Sequence, residues 1–202
     1  MVRLARFSAD SFLTAAVALV AEGGPSAATM AAIARRAGAP TGSVYHRFES
    51  RAALLAAAWA RIHAGFAAAV LPHLRAGDGL AAALAIPAWC RRDPQGARVL
   101  LLNEAGALFE DAPLPDAARA EIARQEEEMD AAFRDFMARA TGGLASEEAA
   151  ARARFLVFDG PIALLRPHLL AGAAVPDHVD AMIADIHRAV AVAPRRTLAR
   201  TA

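Results

Sequence analysis

In Thr41-Gly42-Ser43-Val44-Tyr45-His46-Arg47-Phe48 a small polar tripeptide runs directly into a phenol, an imidazole and a guanidinium. Two chemistries use that order. A glycine-rich turn can wrap phosphate, but a P-loop needs a preceding strand and a lysine. The stretch from Gly38 to Gly42 follows no strand pattern, and the chain has no lysine, its 22 strongly basic residues all being arginine. The other chemistry is that of a helix laid in the major groove of duplex DNA, with its amino-terminal residues at the base edges. Thr41, Gly42 and Ser43 suit that place, because small side chains let the backbone approach and hydroxyls both donate and accept. Tyr45, His46 and Arg47 come one turn later, where the flanking phosphates lie. Arg51, in the first turn of the next helix, adds its charge to that helix's positive end on another phosphate. Val44 and Phe48 are left for the core.

Such a helix has to be held by its neighbours, and the pattern around it is helical nearly throughout. Ser8 caps a first helix that runs to Glu22 and is stopped by Gly23-Gly24-Pro25. A short second helix begins near Thr29 and ends at Gly38, with Met30, Ile33, Ala34 and Ala37 on one side. Pro40 suits the start of a third helix, 41 to 48, and Ser50 caps a fourth from Arg51 to about Leu71, where Pro72 ends the pattern. The spacing of 29–48 is that of a helix-turn-helix: Ala34 is small where the helices cross and Gly38 supplies the turn. Further helices are expected at 78–91, 94–109, 115–141, 146–170 and 177–192, with Pro161 and Pro167 kinking the fourth of these. Along 115–141, Ile122, Met129, Phe133, Phe136 and Met137 point inward, while Arg124/Glu128, Asp130/Arg134 and Asp135/Arg139 pair outside.

The net charge of +1 conceals an asymmetry. Residues 1–62 hold seven arginines against three acids, a net of +4, whereas 63–194 hold twelve against eighteen, a net of −6. A polyanion is therefore expected at the front of the chain. The single cysteine, Cys90, has no disulfide or metal partner and reads as a small buried residue. No signal peptide is apparent, and no apolar window is expected to be long enough for a bilayer, the best being broken by Arg61 and His63. A cytoplasmic protein is the expectation, with no catalytic set, no metal site and no cofactor.

At this point the sequence resembles the TetR family of bacterial repressors. The residues that carry the resemblance are Phe12-Leu13, Ala15-Ala16 and Glu22-Gly23, then Thr29, Ile33-Ala34 and Ala37-Gly38. They continue as Gly42-Ser43-Val44-Tyr45-His46-Arg47-Phe48, Ser50-Arg51 and Leu54-Leu55. The resemblance covers about residues 8 to 60. It implies an all-α, homodimeric transcriptional regulator in which a three-helix helix-turn-helix domain (1–50) binds a palindromic operator. A helical ligand-binding and dimerisation domain (51–194) would follow, then a basic, flexible tail (195–202). Operator DNA, a small apolar effector and a second copy joined through the helices near 146–170 and 177–192 are the implied partners, with no membrane. By resemblance Thr41, Gly42, Tyr45, His46 and Arg51 occupy DNA-contacting positions, and Ser43, Arg47 and Thr29 complete the expected DNA-binding set. Three departures stand out: Pro40 where a polar cap is usual, Ala31 where an arginine or other polar residue often meets phosphate, and Arg51 in place of lysine.

Behind the front end, Trp59, Phe66, Trp89, Met129, Phe133, Phe155 and Phe158 either line an effector cavity or serve as ordinary core. His63 and His168 sit among apolar residues without a ligand-spaced partner, as core or pocket histidines. Asn103 and Glu104 follow an apolar run, and burial of either demands a partner, a ligand among the options. A helical interaction protein that has lost DNA binding is the alternative to a regulator.

Overall fold

The computed structural model describes residues 8–109, 113–143 and 146–192, and among these every regular element is helical. The basic tail 195–202 and part of the 111–115 linker lie outside the described residues. Helix α1 (Ala9–Gly23) begins where the Ser8 hydroxyl accepts the Ser11 N–H at 3.2 Å. It buries Phe12, Ala16, Val17 and Val20. A 3-10 turn (Pro25–Ala27) leads to α2 (Met30–Arg36), capped by the Thr29 hydroxyl. Gly38, at φ +67°, then closes α2: its N–H donates to Arg35 O and the Ala39 N–H to Ala34 O, satisfying carbonyls that the helix end leaves unpaired.

Helix α3 (Thr41–Tyr45) is shorter than the expected 41–48, its last turn loosening over His46 and Arg47. Helix α4 (Arg51–Ala76) is longer than expected, passing through Pro72 to a left-handed cap at Gly77. Proline removes one hydrogen bond. Here it does so on the exposed side, while Val70, Leu71 and Leu74 keep the helix packed on its inner side. That extra length makes α4 long and apolar enough to cross a bilayer by composition, contrary to the sequence expectation, with a mean hydropathy of 1.6 over its best window. Half of that window is buried against protein, where α1, α5 and α8 pack around the helix.

Helix α5 (Gly79–Arg92) starts on the Asp78 cap. Helix α6 (Pro94–Leu102) starts on the Asp93 cap, which is tight enough that a Cβ on Gly96 would meet the Asp93 carboxylate. The expected 94–109 helix is broken at Asn103, which turns extended and sends its amide back to Val99 O at 3.0 Å, and α7 (Ala105–Phe109) follows. Helix α8 (Asp116–Thr141) turns Phe136 and Met137 inward as expected. Of its expected ion pairs Arg124–Glu128 forms, while Arg134 and Arg139 take other partners. Arg124 reaches Glu121 at 2.7 Å as well as Glu128 at 3.3 Å, and Arg134 reaches Glu127. Arg139 donates to Leu74 O, at the negative end of α4.

The expected helix 146–170 consists of α9 (Glu147–Arg154), a π turn (Phe155–Asp159) and α10 (Gly160–Ala171). The π turn is how the chain accommodates Pro161. The Gly160 N–H donates to Phe155 O, five residues back, and Pro161 has no N–H to give Leu156 O. His187, on α11 (His178–Val192), donates to that carbonyl instead, at 2.9 Å. Helix α11 is fastened to α5 by Arg91, whose guanidinium grips both Asp180 oxygens at 3.0 Å and the carbonyls of Val175 and Pro176.

Candidate nucleic-acid interface and effector cavity

The recognition unit is built from its core outward. Ile33, Ala34 and Val44 are at most 1% exposed, which fixes the angle between α2 and α3 and the rotation of α3 about its axis. With Val44 sealed inside, Thr41, Gly42, Tyr45, His46 and Arg47 all come to the outer surface, and Ser43 is half-buried. Tyr45 is 57% exposed and so is not the edge of the core. Phe48 packs against the core as expected. Pro40 stands at the N-cap of α3 with φ −59° and offers no side-chain acceptor. Its carbonyl takes the Ser43 N–H at 2.9 Å.

Two of the expected contact residues have structural employment. The Thr29 hydroxyl accepts from the Ala32 N–H as the cap of α2. Arg51, expected on a phosphate, turns its guanidinium toward the 3-10 turn, donating from Nε to Ala28 O at 3.0 Å and from a terminal nitrogen to Pro25 O at 2.5 Å. It ties the start of α4 to the segment between α1 and α2. Arg36 likewise holds α2 to α1 through a two-pronged pair with Glu22, which lowers the carboxyl pKa. Arg35 and Arg47 are exposed and make no ion pair among the described residues. Arg35 was not singled out from the sequence, because nothing in its spacing separates it from Arg36; only the partner Glu22, fourteen residues away, does so.

Behind the front, α4, α6, α8 and the π turn surround an open cavity of about 240 Å³. Its lining includes His63, Phe66, Met129, Phe133 and Phe158 of the expected set. Leu100, Leu101, Asp130, Arg154, Asp159 and Ile162 also line it and were not anticipated. The other four expected residues lie elsewhere. Trp59 is buried edge-on against Phe109, and Trp89 stands edge-on behind Phe66 with ring centroids 5.2 Å apart. Asn103 is occupied in capping α6, and Phe155 is 48% exposed outside the lining. The three charged residues were missed because their charge reads as solvated helix face. Only the approach of α8 to the π turn brings Asp130 and Asp159 to one opening.

His63 is the polar group set deepest in this wall. Its Nδ1 is sheltered and has no hydrogen-bond partner, and burial lowers its pKa below the ordinary 6.5 against the opposing pull of Glu126 and Glu128. The ring is therefore neutral at pH 7. A proton on the sealed Nδ1 would be a buried donor without an acceptor, so it belongs on Nε2.

Residues 12–58 match the family described as bacterial regulatory proteins, tetR family. Among solved structures, the fatty acid degradation regulator FadR from Bacillus halodurans aligns with a TM-score of 0.65 at 16% identity, over 89% of this chain and 92% of its own. A transcriptional regulator from Rhodococcus sp. Rha1 aligns at 0.61 and 22% identity, over 93% and 100%. SmeT, the repressor of the Stenotrophomonas maltophilia multidrug efflux pump SmeDEF, aligns at 0.58 and 20% identity, over 92% and 90%. At these identities the likeness is one of fold. No curated protein sequence matches the chain.

Proposed function

We propose, from the premise that this chain is a TetR-family transcription regulator, that it is a repressor which grips a palindromic operator as a dimer and is released by a small effector. The observation that carries DNA binding is the division of α3. Val44 is fully buried, while Thr41, Gly42, Tyr45, His46 and Arg47 are exposed together on the opposite side. Thr41 to Ser43 read bases; Tyr45, His46 and Arg47 meet phosphates. Arg35, beside the turn, adds a further cation, and Arg51 serves as a strut for the unit.

Support for a dimer comes from the rear helices, where Phe155, Leu170 and Met182 are 48%, 59% and 43% exposed. Large apolar side chains left open on consecutive elements mark a surface that another molecule covers. A second copy, joined through 146–170 and 177–192, would set the two recognition helices about one turn of duplex apart. Support for an effector comes from the cavity, whose aromatic and aliphatic wall carries a few polar groups, as small-molecule sites do. Because α4 carries His63 and Phe66 in that wall and Arg51 at its start, a shift of this helix on filling would reach the recognition unit.

Selection from random duplexes with purified protein tests the reading. A palindrome with half-sites roughly 10 base pairs apart, bound with a steep salt dependence, is expected. The absence of any sequence preference at low salt sinks it. Leu170→Glu, by placing a charge in the proposed dimer surface, is expected to yield monomers in analytical ultracentrifugation and to weaken operator binding.

A further inference from the structure

The effector cavity has a charge bias that narrows what it can hold. Its lining carries two carboxylates, Asp130 and Asp159, against one guanidinium, Arg154. Arg154 Nε already lies 3.8 Å from an Asp159 oxygen, whereas Asp130 has no ion-pair partner among the described residues. The sequence pattern assigned Asp130 to Arg134, but Arg134 turns away to Glu127 at 2.6 Å. The uncompensated charge at the opening is therefore negative, and an entering anion meets it without a free cation to receive it.

The wall below the opening suits the opposite charge. Phe133 and Phe158 stand 5.6 Å apart at 59° between ring planes, so one presents a face near the other's edge. Aromatic faces attract cations as well as apolar groups, most strongly where water is excluded. His63 lines the cavity, and with its proton on Nε2 the ring has one hydrogen-bond donor to offer an acceptor on the guest. The volume, about 240 Å³, falls just below the roughly 300–1,000 Å³ usual for drug-sized ligands and limits the guest to a compact one.

We infer that the effector is a compact organic cation, with an aromatic or alicyclic body resting against the Phe133–Phe158 pair, its positive end at Asp130, and an acceptor oxygen toward His63. This rests on the reading of the cavity as the effector site.

Three benzoyl probes, two of them isosteric, test it on the full chain by isothermal titration calorimetry. Benzoylcholine carries the ring, an ester oxygen and a quaternary ammonium; 3,3-dimethylbutyl benzoate replaces the ammonium by carbon; hippurate ends in a carboxylate. The expected order is cation, then neutral ester, then anion, with benzoylcholine about fivefold or more ahead of the ester at 50 mM salt and less so at 300 mM, as one partly exposed charge pair allows. Asp130→Asn, an exposed position that leaves the core intact, is expected to bring the two esters within about twofold of each other without changing the neutral one. Equal binding of the two esters, or tighter binding of hippurate, overturns the cationic class while leaving the effector cavity standing. If none of the three binds, the cationic class is overturned as well. In that case Leu101→Trp, which fills the cavity, decides the wider reading: unchanged operator affinity in this variant removes the cavity from regulation altogether.

Discussion

Around α3, Arg35 and Arg47 are exposed without an ion pair among the described residues, whereas in the rear bundle Arg91, Arg124, Arg134 and Arg139 each grip a carboxylate or a helix-end carbonyl. In the rear, Arg91 and Arg139 fasten one helix to another, Arg124 and Arg134 pair along α8 itself, and Arg92 and Arg166 are exposed without an ion pair among the described residues. The front splits its arginines by direction: Arg36 and Arg51 turn inward and fasten α2 and α4, and Arg35 and Arg47 turn outward and keep their charge for something outside the chain. A cation held by its own protein has little to offer a phosphate, so the direction of a side chain, more than its type, separates a strut from a contact.

The comparison breaks first at Arg51. Arg51→Met removes two charge-assisted hydrogen bonds to backbone carbonyls, and a loss of about 1.5–3 kcal/mol in unfolding free energy is expected by urea titration. Operator affinity should fall with it, yet the slope of log affinity against log salt should stay as in the parent. A drop in that slope would return Arg51 to the phosphates. Arg47→Ala is expected to do the reverse. Its stability should be unchanged within about 0.5 kcal/mol, and its slope should shrink by about one unit for each phosphate that Arg47 neutralises in a half-site, measured by fluorescence anisotropy between 50 and 200 mM salt.

A smaller effect is expected at His63. Burial holds its folded pKa below 6.5, so as the pH falls through about 6.5 the unfolded chain takes up a proton that the folded chain refuses. Stability falls over that window until the folded pKa is reached and is flat beyond it. His63→Phe should remove this part of the acid sensitivity, read as a flatter melting temperature between pH 7 and 5. At Cys90 the expected effect is nil. The thiol is 1% exposed and its pKa is pushed up to about 12 by burial, so a thiol reagent at pH 8 should leave the native protein unlabelled over minutes and modify it only after denaturation.

How much of this was legible beforehand depends on how far apart in the chain the deciding atoms lie. Ser8, Thr29 and Ser50 cap helices whose first turns follow them directly, and Gly38 closes the turn next to it. Each of these acts within four residues, and each was readable. Pro72 misled for the opposite reason, and at Pro161 the form of the irregularity, a π turn, was not legible either. Whether a proline ends a helix depends on what packs against the next turn, and here Val70, Leu71 and Leu74 on α4 and His187 beside the π turn hold the chain together. Asn103 was read as a candidate ligand contact because its polar group follows an apolar run, and the local geometry turned the amide back onto its own helix.

The cavity shows the same division. Aromatic residues at helical spacing look alike whether they line a space or fill a core, so the sequence placed Trp59 and Trp89 in one group with Phe133 and Phe158. Helical periodicity, capping chemistry and the buried-against-exposed sides of α2 and α3 are local, and the amino-acid order alone determined them. The partners of Arg51, the isolation of Asp130 and the π turn that brings Asp159 to the cavity depend on contacts between helices tens of residues apart. Only the packed structure decided those, because side-chain direction and shared burial come into being when the helices meet.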